Sequence, residues 1–373
     1  MKYLIVFSRI VIGILFILSG WVKLVDPIGF SYQLEEYCSP SVFDIPFLID
    51  LSLILAVFLS LYESLSGLML LLGIAKKFTI INLSILMLFF SFLTFYSAYL
   101  DKITDCGCFG DALPLTPWQS FGKNILLFFF ILSFIGGRSQ IRPCFNKGIN
   151  IMLLLVTLIG LLVTAYRGVT HLPMIDFRPY AIGKSITVQI KTVEELGFDS
   201  PQYQILYTLK NTQDQSEKTV TDKEYINQKL WMDSHWSIQA DKTVRKKIKN
   251  GYKPLIHDFV LRKGEQDITK EILDEPFALL VICYDLLKAD LNGLNKIKTF
   301  ITSWKKTPVR FIGLSSSETS EQLGLSWIFG DVTLLKTIVR SNPGLVLLKK
   351  GTIVKKWHWR DTPTLTEFQN LID

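Results

Sequence analysis

Five long hydrophobic runs constrain this chain more than any other feature of its sequence. They cover about residues 4–25, 50–74, 78–100, 119–136 and 149–168. A run of roughly 20 apolar residues is long enough to cross the hydrocarbon core of a bilayer as a helix. The first run has a basic start, but Ser19–Lys23 is a poor cleavage site, so we interpret this run as a retained helix. The sequence therefore predicts a multi-pass helical membrane protein.

Charge divides the chain into two unlike halves. Residues 1–169 hold 11 Lys and Arg and 9 Asp and Glu, whereas residues 170–373 hold 29 and 24. This contrast predicts a transmembrane domain over 1–169 and a water-exposed region after it. The net charge of +7 is partly topogenic and otherwise thinly spread, so we expect no nucleic-acid partner. No metal-ligand spacing occurs in the sequence, so no metal site is predicted either.

The loops between the runs alternate in charge, which predicts an orientation. The second and fourth loops are basic, with Lys76, Lys77, Arg138, Arg142 and Lys147. The first and third loops are acidic, with Asp26, Glu35, Glu36, Asp44, Asp50, Asp101, Asp105 and Asp111. Basic loops stay in the cytoplasm, so the N-terminus is expected inside and everything after residue 170 outside. We therefore predict a protein of the bacterial inner membrane, with the bilayer as its partner and a periplasmic C-terminal region.

Two cysteines one residue apart lie in the second acidic loop, within Asp105-Cys-Gly-Cys-Phe-Gly110. A thiolate beside a second thiol can form, break or exchange disulfides. A disulfide between Cys106 and Cys108 would close a small, strained ring, which favours a catalytic or relay bond over a structural one. The alternative interpretation is a tight Gly turn whose two cysteines are merely packed.

The other three cysteines occupy different environments. Cys38 also lies in an outward loop, where it is either a shuttle thiol or incidental. Cys144 lies in a cytoplasmic loop and is expected to be a bystander. Cys283 lies in the apolar run Phe277–Tyr284 and is expected to be a buried strand thiol with little reactivity.

Charged residues inside the hydrophobic runs are expensive in a bilayer and should face protein or a polar cavity. Arg9 and Glu63 are the predicted buried partners, and Lys123 is a third intramembrane polar residue. One interpretation is an inert ion pair between the first two membrane helices. The other is a polar site for a quinone or a proton; no other cofactor is indicated.

Residues 1–137 resemble the DoxX/MauE superfamily of redox-associated membrane proteins. The resemblance rests on Arg9-x3-Gly-x2-Phe-x2-Ser-Gly-x2-Lys23, Glu63-x3-Gly67, the Asp-Cys-Gly-Cys-Phe-Gly segment, and Trp118–Asn124. It implies a four-helix bundle distantly like that of vitamin K epoxide reductase, and a link to disulfide formation in the periplasm. The fifth hydrophobic run and the long C-terminal region depart from the minimal family pattern.

After the fifth run, the sequence predicts a linker and a small β-containing region over 170–253. Residues 203–221 alternate as a hairpin around 211–216. The basic stretch Lys242–Lys249 is interpreted as a solvated helix face, with binding to anionic lipid as the alternative.

Residues 254–373 are expected to form an α/β domain in the order βαβαββα. Strands at 277–285 and 309–315 joined by a helix near 290–304 imply a parallel crossover, and 344–359 read as a hairpin. Helices are also expected near 318–323, at 332–340 and at 364–372. The order resembles the thioredoxin fold, in TlpA-like and peroxiredoxin-like forms, with His257–Val260 as a lead-in strand and Pro343 as the cis-proline.

This resemblance comes without the thioredoxin active site. The redox Cys-x-x-Cys should stand at Asp285–Ala289, where no cysteine occurs. The C-terminal domain should therefore not exchange disulfides itself.

These observations lead to one preferred function and one rival. The preferred function is thiol–disulfide redox work through Cys106 and Cys108, as an oxidoreductase that exchanges electrons with a quinone or a separate periplasmic thioredoxin-like or substrate protein. The rival is a non-enzymatic scaffold or accessory subunit of an envelope or secretion complex, whose inactive thioredoxin-like domain binds a partner.

Overall fold

The computed structural model describes residues 2–100, 112–113, 115–191, 195–197, 199, 202–239, 242–249, 254–256, 259–304, 309–317, 324–325 and 327–373. The chain forms two compact units. The larger unit joins Met1–Lys184 with Val260–Asp373, and the smaller consists of Ser185–Phe259.

Within the described residues, the first part of the larger unit contains six α-helices. They are α1 (Lys2–Val25), α2 (Pro27–Cys38), α3 (Ser52–Leu72), α4 (Lys76–Leu100), α5 (Pro117–Gly137) and α6 (Lys147–Thr170). Among the described residues, α1, α3, α4 and α6 are long and apolar enough to cross a membrane. The four predicted runs that they contain are therefore helical, as expected. The run at 119–136 lies in α5, and its crossing of the membrane stays a prediction.

Capping residues define the ends of two of these helices. Asp26 caps α2, accepting a hydrogen bond from the Gly29 amide at 2.9 Å, and Pro27 occupies the first helical position. At the other end of the bundle, Gly73 ends α3 in the left-handed conformation with φ of 71°. The loop predicted between the first two runs thus contains a third element, α2, which the hydropathy pattern does not reveal.

Close contact between α1 and α3 is made by small residues. A Cβ atom on Gly67 would lie 2.7 Å from the Gly13 carbonyl oxygen, and one on Gly20 would lie 2.5 Å from the Ser60 carbonyl oxygen. Small residues let helix backbones approach closely where lipid offers no hydrophobic drive for association. Around this contact, an apolar core includes Ile12, Phe16, Leu83, Ile131 and Phe134.

The smaller unit is built on an antiparallel sheet. Its elements are α7 (Ile186–Gln189), β1 (Gln202–Asn211), β2 (Glu217–Thr221), α8 (Asp222–Asn227), β3 (Trp236–Ile238) and β4 (Val244–Lys249). The long strand β1 pairs with the other three strands. The predicted hairpin over 203–221 is confirmed as β1 and β2.

The basic stretch at 242–249 was predicted as a helix, and this prediction is wrong. Residues Val244–Lys249 form strand β4, antiparallel to β1, with Val244 opposite Leu206. Apolar side chains at Val244 and Ile248 are both more than half exposed, so no buried face enforces a helical period. Backbone pairing with β1 decides the conformation instead.

The larger unit ends in a seven-stranded mixed sheet. Its elements are β5 (Leu261–Lys263), β6 (Gln266–Asp267), α9 (Thr269–Asp274), β7 (Ala278–Cys283), α10 (Leu291–Ser303), β8 (Arg310–Ser315), β9 (Trp327–Gly330), α11 (Val332–Ile338), β10 (Gly344–Lys349), β11 (Thr352–His358) and α12 (Leu365–Gln369). The strand order is β11-β10-β7-β8-β9-β5-β6. Strands β7, β8 and β9 run parallel, and the remaining pairs are antiparallel.

This sheet contains most of the predicted elements and several others. The β7–α10–β8 crossover and the β10–β11 hairpin agree with the sequence, whereas β5, β6 and β9 were not expected. The helix predicted near 318–323 and most of the lead-in strand at 257–260 lie outside the described residues. The peptide bond before Pro343 is cis. A thioredoxin-like fold remains a prediction for this domain.

The α1–α3 contact generates a test of the bundle. We expect Gly20→Ala to lower the free energy of unfolding by about 1–3 kcal/mol, because the new methyl group meets backbone atoms of α3 that cannot turn aside. Gly160→Ala is the matched control, since a Cβ at Gly160 in α6 has nothing within 4 Å. Thermal unfolding in detergent micelles measures both. Equal stability of the two variants would contradict the close contact.

Candidate functional site

The principal predicted site residues, Cys106 and Cys108, lie in residues 101–111, outside the described residues. The chain enters this segment from the end of α4 at Leu100, and α5 starts at Pro117 with a capping box between Thr116 and Gln119.

Cys38 is at the end of α2 and is buried, with 8% of its surface exposed. The segment around it packs on the last turns of α4. The Tyr37 hydroxyl makes a 2.8 Å hydrogen bond to that of Ser97, and Tyr37 clusters with Leu93. Burial raises the pKa of the Cys38 thiol. Cys38 thus lies beside the same helix end from which the chain continues toward Cys106 and Cys108.

The two remaining cysteines lie away from that region. Cys144 is exposed at the opposite end of the bundle, where its Sγ is 3.3 Å from Nη2 of Arg9. Cys283 is fully buried in β7, and burial raises the pKa of its thiol to about 12. The start of α10 is capped by Asp290, which accepts a hydrogen bond from the Gly293 amide at 3.0 Å. Residues 285–289, which follow β7, contain no cysteine, and the Cys283 thiol at the end of the strand is inaccessible.

The predicted Arg9–Glu63 ion pair is wrong. Glu63 pairs with Lys23, whose Nζ lies 2.6 Å from the carboxylate; the two side chains are 5% and 1% exposed. Arg9 instead donates to the carbonyl oxygens of Leu70 and Leu71 at 2.9 and 2.6 Å, and so caps the end of α3.

The register of two antiparallel helices explains this correction. Gly13 of α1 lies level with Gly67 of α3, and Gly20 lies level with Ser60 and Ser64. Lys23 is therefore within reach of Glu63. Arg9 lies ~21 Å away from Lys23 along the axis of α1, at about 1.5 Å per residue.

Several groups solvate the buried Lys23 ammonium. Ser19 accepts a hydrogen bond from it at 3.0 Å, and the rings of Phe30 and Phe90 lie 5.4 and 4.8 Å away. Aromatic faces stabilise a cation where water is excluded. The pair is thus well satisfied, as a buried ion pair must be to persist.

Lys123 of α5 lies in the same polar cluster. It lines a small pocket of about 30 Å³ together with Lys23, Glu63 and Asn124. Asn124 in turn donates to the Thr94 hydroxyl of α4 at 3.3 Å. A pocket of this volume accommodates about one water molecule. A quinone ring does not fit there without rearrangement of the helices.

Lys23 also lines a second, much larger cavity of about 450 Å³ at the α2 end of the bundle. Its walls are α2, the segment around Asp176 and helix α11 of the sheet domain. Lys23 is therefore the residue common to this cavity and to the small pocket.

Ion pairs neutralise most of the charges in the large cavity. Asp26 pairs with Arg340 at 3.0 Å, and Glu35 pairs with Lys336 at 3.2 Å. The Glu35–Lys336 bond joins α2 to α11, and the Asp26–Arg340 bond joins the cap of α2 to a residue just after α11. Both bonds span more than 300 residues of sequence. The Lys336 ammonium also lies 4.0 Å from the centre of the Tyr32 ring.

Tyr32 and Tyr284 form the third link between α2 and the sheet domain. Their hydroxyls are 2.9 Å apart, and their rings meet edge to face. Burial raises the pKa of both phenols, most strongly that of Tyr32, so both remain protonated, and the Tyr32 hydroxyl donates to that of Tyr284. The end of β7, which carries Tyr284, is thereby in contact with a helix of the bundle.

Two residues that line this cavity, Asp176 and Arg178, belong to a buried charge cluster with Lys356 of the sheet. Asp176 bonds to Arg178 at 2.7 Å and to Lys356 at 2.6 Å. Burial raises the pKa of Asp176, but the two cations outweigh it and bring the value to about 2. Burial and the Arg178 charge lower the pKa of Lys356 to about 8, against the opposing effect of Asp176.

Sequence reasoning missed the residues of this α2 interface. One signal was present: Asp26-Pro27 is a helix start, with a cap and a proline at the first position. The partners Tyr284, Lys336 and Arg340 carry no comparable local signal, because only the tertiary fold brings them to α2.

The Lys23–Glu63 pair generates a test by double substitution. We expect Lys23→Met and Glu63→Leu each to cost about 3–5 kcal/mol, since each leaves an unpaired buried charge. The double variant should lose far less, and unfolding in detergent measures the difference. Arg9→Met is the control: its cost should simply add to that of Glu63→Leu. Additive costs for Lys23→Met and Glu63→Leu would contradict the pairing.

The membrane part of the chain has a counterpart among known families. Comparison with curated proteins and with solved structures found no match. Residues 1–136, which contain α1 to α4 and nearly all of α5, match the family model described as methylamine utilisation protein MauE. Through this region, the chain is similar to the MauE family of membrane proteins.

Proposed function

We propose that this protein carries out thiol–disulfide exchange at the outer face of a bacterial inner membrane, with Cys106 and Cys108 as the exchanging pair. One observation carries the proposal: the Cys38 segment packs on the very end of α4 from which the chain continues toward that pair. The MauE match over residues 1–136 supports a redox-associated membrane role. Methylamine itself is not carried over to this chain.

The exchange needs no group beyond the thiols themselves. A substrate thiolate attacks one sulfur of the Cys106–Cys108 disulfide and forms a mixed disulfide, releasing the other cysteine as a thiol. A second substrate thiolate resolves the mixed disulfide. The substrate loses two electrons and two protons, and the pair gains both. A quinone or a periplasmic thioredoxin-like protein would then reoxidise the pair.

Ring strain, and not charge, favours this direction. Asp105 and Asp111 flank the pair, and nearby carboxylates disfavour the thiolate, which argues against an unusually acidic nucleophile. The strain of the small Cys106–Cys108 ring must therefore supply the driving force, and it makes the pair better suited to oxidising incoming thiols than to acting as a reductant.

The distribution of charge along the bundle supports the proposed orientation. Arg9, Gly73 and Arg142 meet at one end, where the Arg142 carbonyl and the Arg9 guanidinium approach Gly73. Asp26 and Glu35 lie at the other end, beside the sheet domain. With basic groups retained in the cytoplasm, the sheet domain and the cysteine loop lie in the periplasm.

The sheet domain has a non-redox role in this proposal. We infer that it is a thioredoxin-like domain without its cysteine pair. Tyr284 lies just after β7 and contacts Tyr32 of α2. Arg340 lies three residues before Pro343 and contacts Asp26, the cap of α2. The domain thereby holds α2, and with it Cys38, against the bundle.

The same contact favours a second candidate function. A domain whose β7 end binds a helix instead of exchanging thiols also suits a scaffold or accessory subunit of an envelope complex. In that case, the cysteines of the loop would form an inert structural bond.

Thiol trapping of the intact protein in membranes tests the proposed function. Either the Cys106→Ser variant should accumulate a mixed disulfide through Cys108, or the Cys108→Ser variant should accumulate one through Cys106. Each substitution alone should abolish turnover. Cys144→Ser and Cys283→Ser are the controls and should behave as the wild type, since one thiol is at the opposite end and the other is buried. A pair that stays oxidised and forms no mixed disulfide would contradict exchange and leave the scaffold function.

A further inference from the structure

Helix α6 is much more exposed than the other candidate membrane spans. In the most apolar 18-residue stretch of α6, only 17% of the residues are buried, whereas the corresponding share is 39–44% in α1, α3 and α4. Side chains such as Val156, Ile159 and Val163 are each more than 60% exposed. In a bilayer, this face of α6 would be covered by acyl chains.

A cavity of about 310 Å³ opens where α6 ends. It is lined by Arg167 in the last turn of the helix, by His171 just after it, and by Lys355 of the edge strand β11. Two exposed apolar side chains line this opening, Met174 at 52% and Ile182 at 53%. Basic groups beside an apolar rim, at the end of a membrane span, match the depth of phospholipid head groups.

Some charged side chains that line this cavity have an ion-pair partner among the described residues, and others do not. His171 bonds to Asp361 at 2.8 Å, and Lys356 bonds to Asp176 at 2.6 Å. Within the described ranges, no ion pair involves Arg167 or Lys355. Two cations without a carboxylate partner therefore face a cavity large enough for a phosphate group and its glycerol.

From this geometry we propose that the cavity binds the phosphate of an anionic phospholipid. Arg167 and Lys355 hold the phosphate, and the acyl chains lie along the exposed face of α6. His358, which also lines the cavity, is neutral here because burial and Arg360 lower its pKa to about 4. The site contains no cysteine, so a test of lipid binding is independent of a test of thiol exchange.

Lipid binding to the full-length protein tests this site. After exchange into detergent, native mass spectrometry should show phosphatidylglycerol retained by the wild type, and phosphatidylcholine retained much less. Arg167→Ala with Lys355→Ala should weaken retention by at least tenfold, since each juxtamembrane cation contributes about fivefold. Lys263→Ala with Lys298→Ala removes the same charge from exposed positions outside the cavity and should change nothing.

Three outcomes would overturn the proposal. They are wild-type retention by the Arg167→Ala, Lys355→Ala variant, equal retention of phosphatidylcholine, and displacement of the lipid by millimolar inorganic phosphate, which would make free phosphate the ligand. Arg167→Lys with Lys355→Arg keeps both charges and should retain the lipid. This conservative variant separates loss of binding from loss of folding.

Discussion

The contact between α1 and α3, with the Lys23–Glu63 ion pair at one end of it, is the interaction on which the rest of the structure depends. Small residues bring the two backbones together, and this closeness sets the register that puts Lys23 beside Glu63. Two charges buried at 1% and 5% exposure are stable only as a pair. The pair therefore fixes α1 against α3, and α2 begins at Pro27, two positions after the end of the turn that carries Lys23.

From that point, the structure extends from the bundle to the sheet domain through α2. Three links hold this short helix to residues far along the chain: Asp26 to Arg340, Glu35 to Lys336, and Tyr32 to Tyr284. The opposite end of α2 carries Cys38, and its neighbour Tyr37 packs against Leu93 of α4. A single helix thus contacts both the sheet domain and the end of α4 that precedes the loop of the proposed exchange. Its contact with the sheet domain includes Tyr284, which follows directly after Cys283 at the end of β7.

The sequence allowed the membrane helices to be predicted well, because long apolar runs have few alternatives in a chain of this composition. It did not reveal α2, whose 12 residues are too polar and too short to stand out between two membrane runs. Glu63 was predicted correctly to be buried, but its partner was misassigned. The sequence of either helix alone does not determine the register between the two. The strand β4 was misread for a related reason: its charges suggested a solvated helix, and only pairing with β1 decided otherwise.

Thiol exchange is the central claim, and the reduction potential of the Cys106–Cys108 pair tests it most directly. The full-length protein in membranes would be equilibrated with dithiol buffers of known potential, and its free thiols counted by alkylation, with Cys144 and Cys283 replaced by serine. A strained pair that oxidises other thiols should have a potential above about −300 mV. A value below that limit, which is the range of inert structural disulfides, would contradict the proposed exchange.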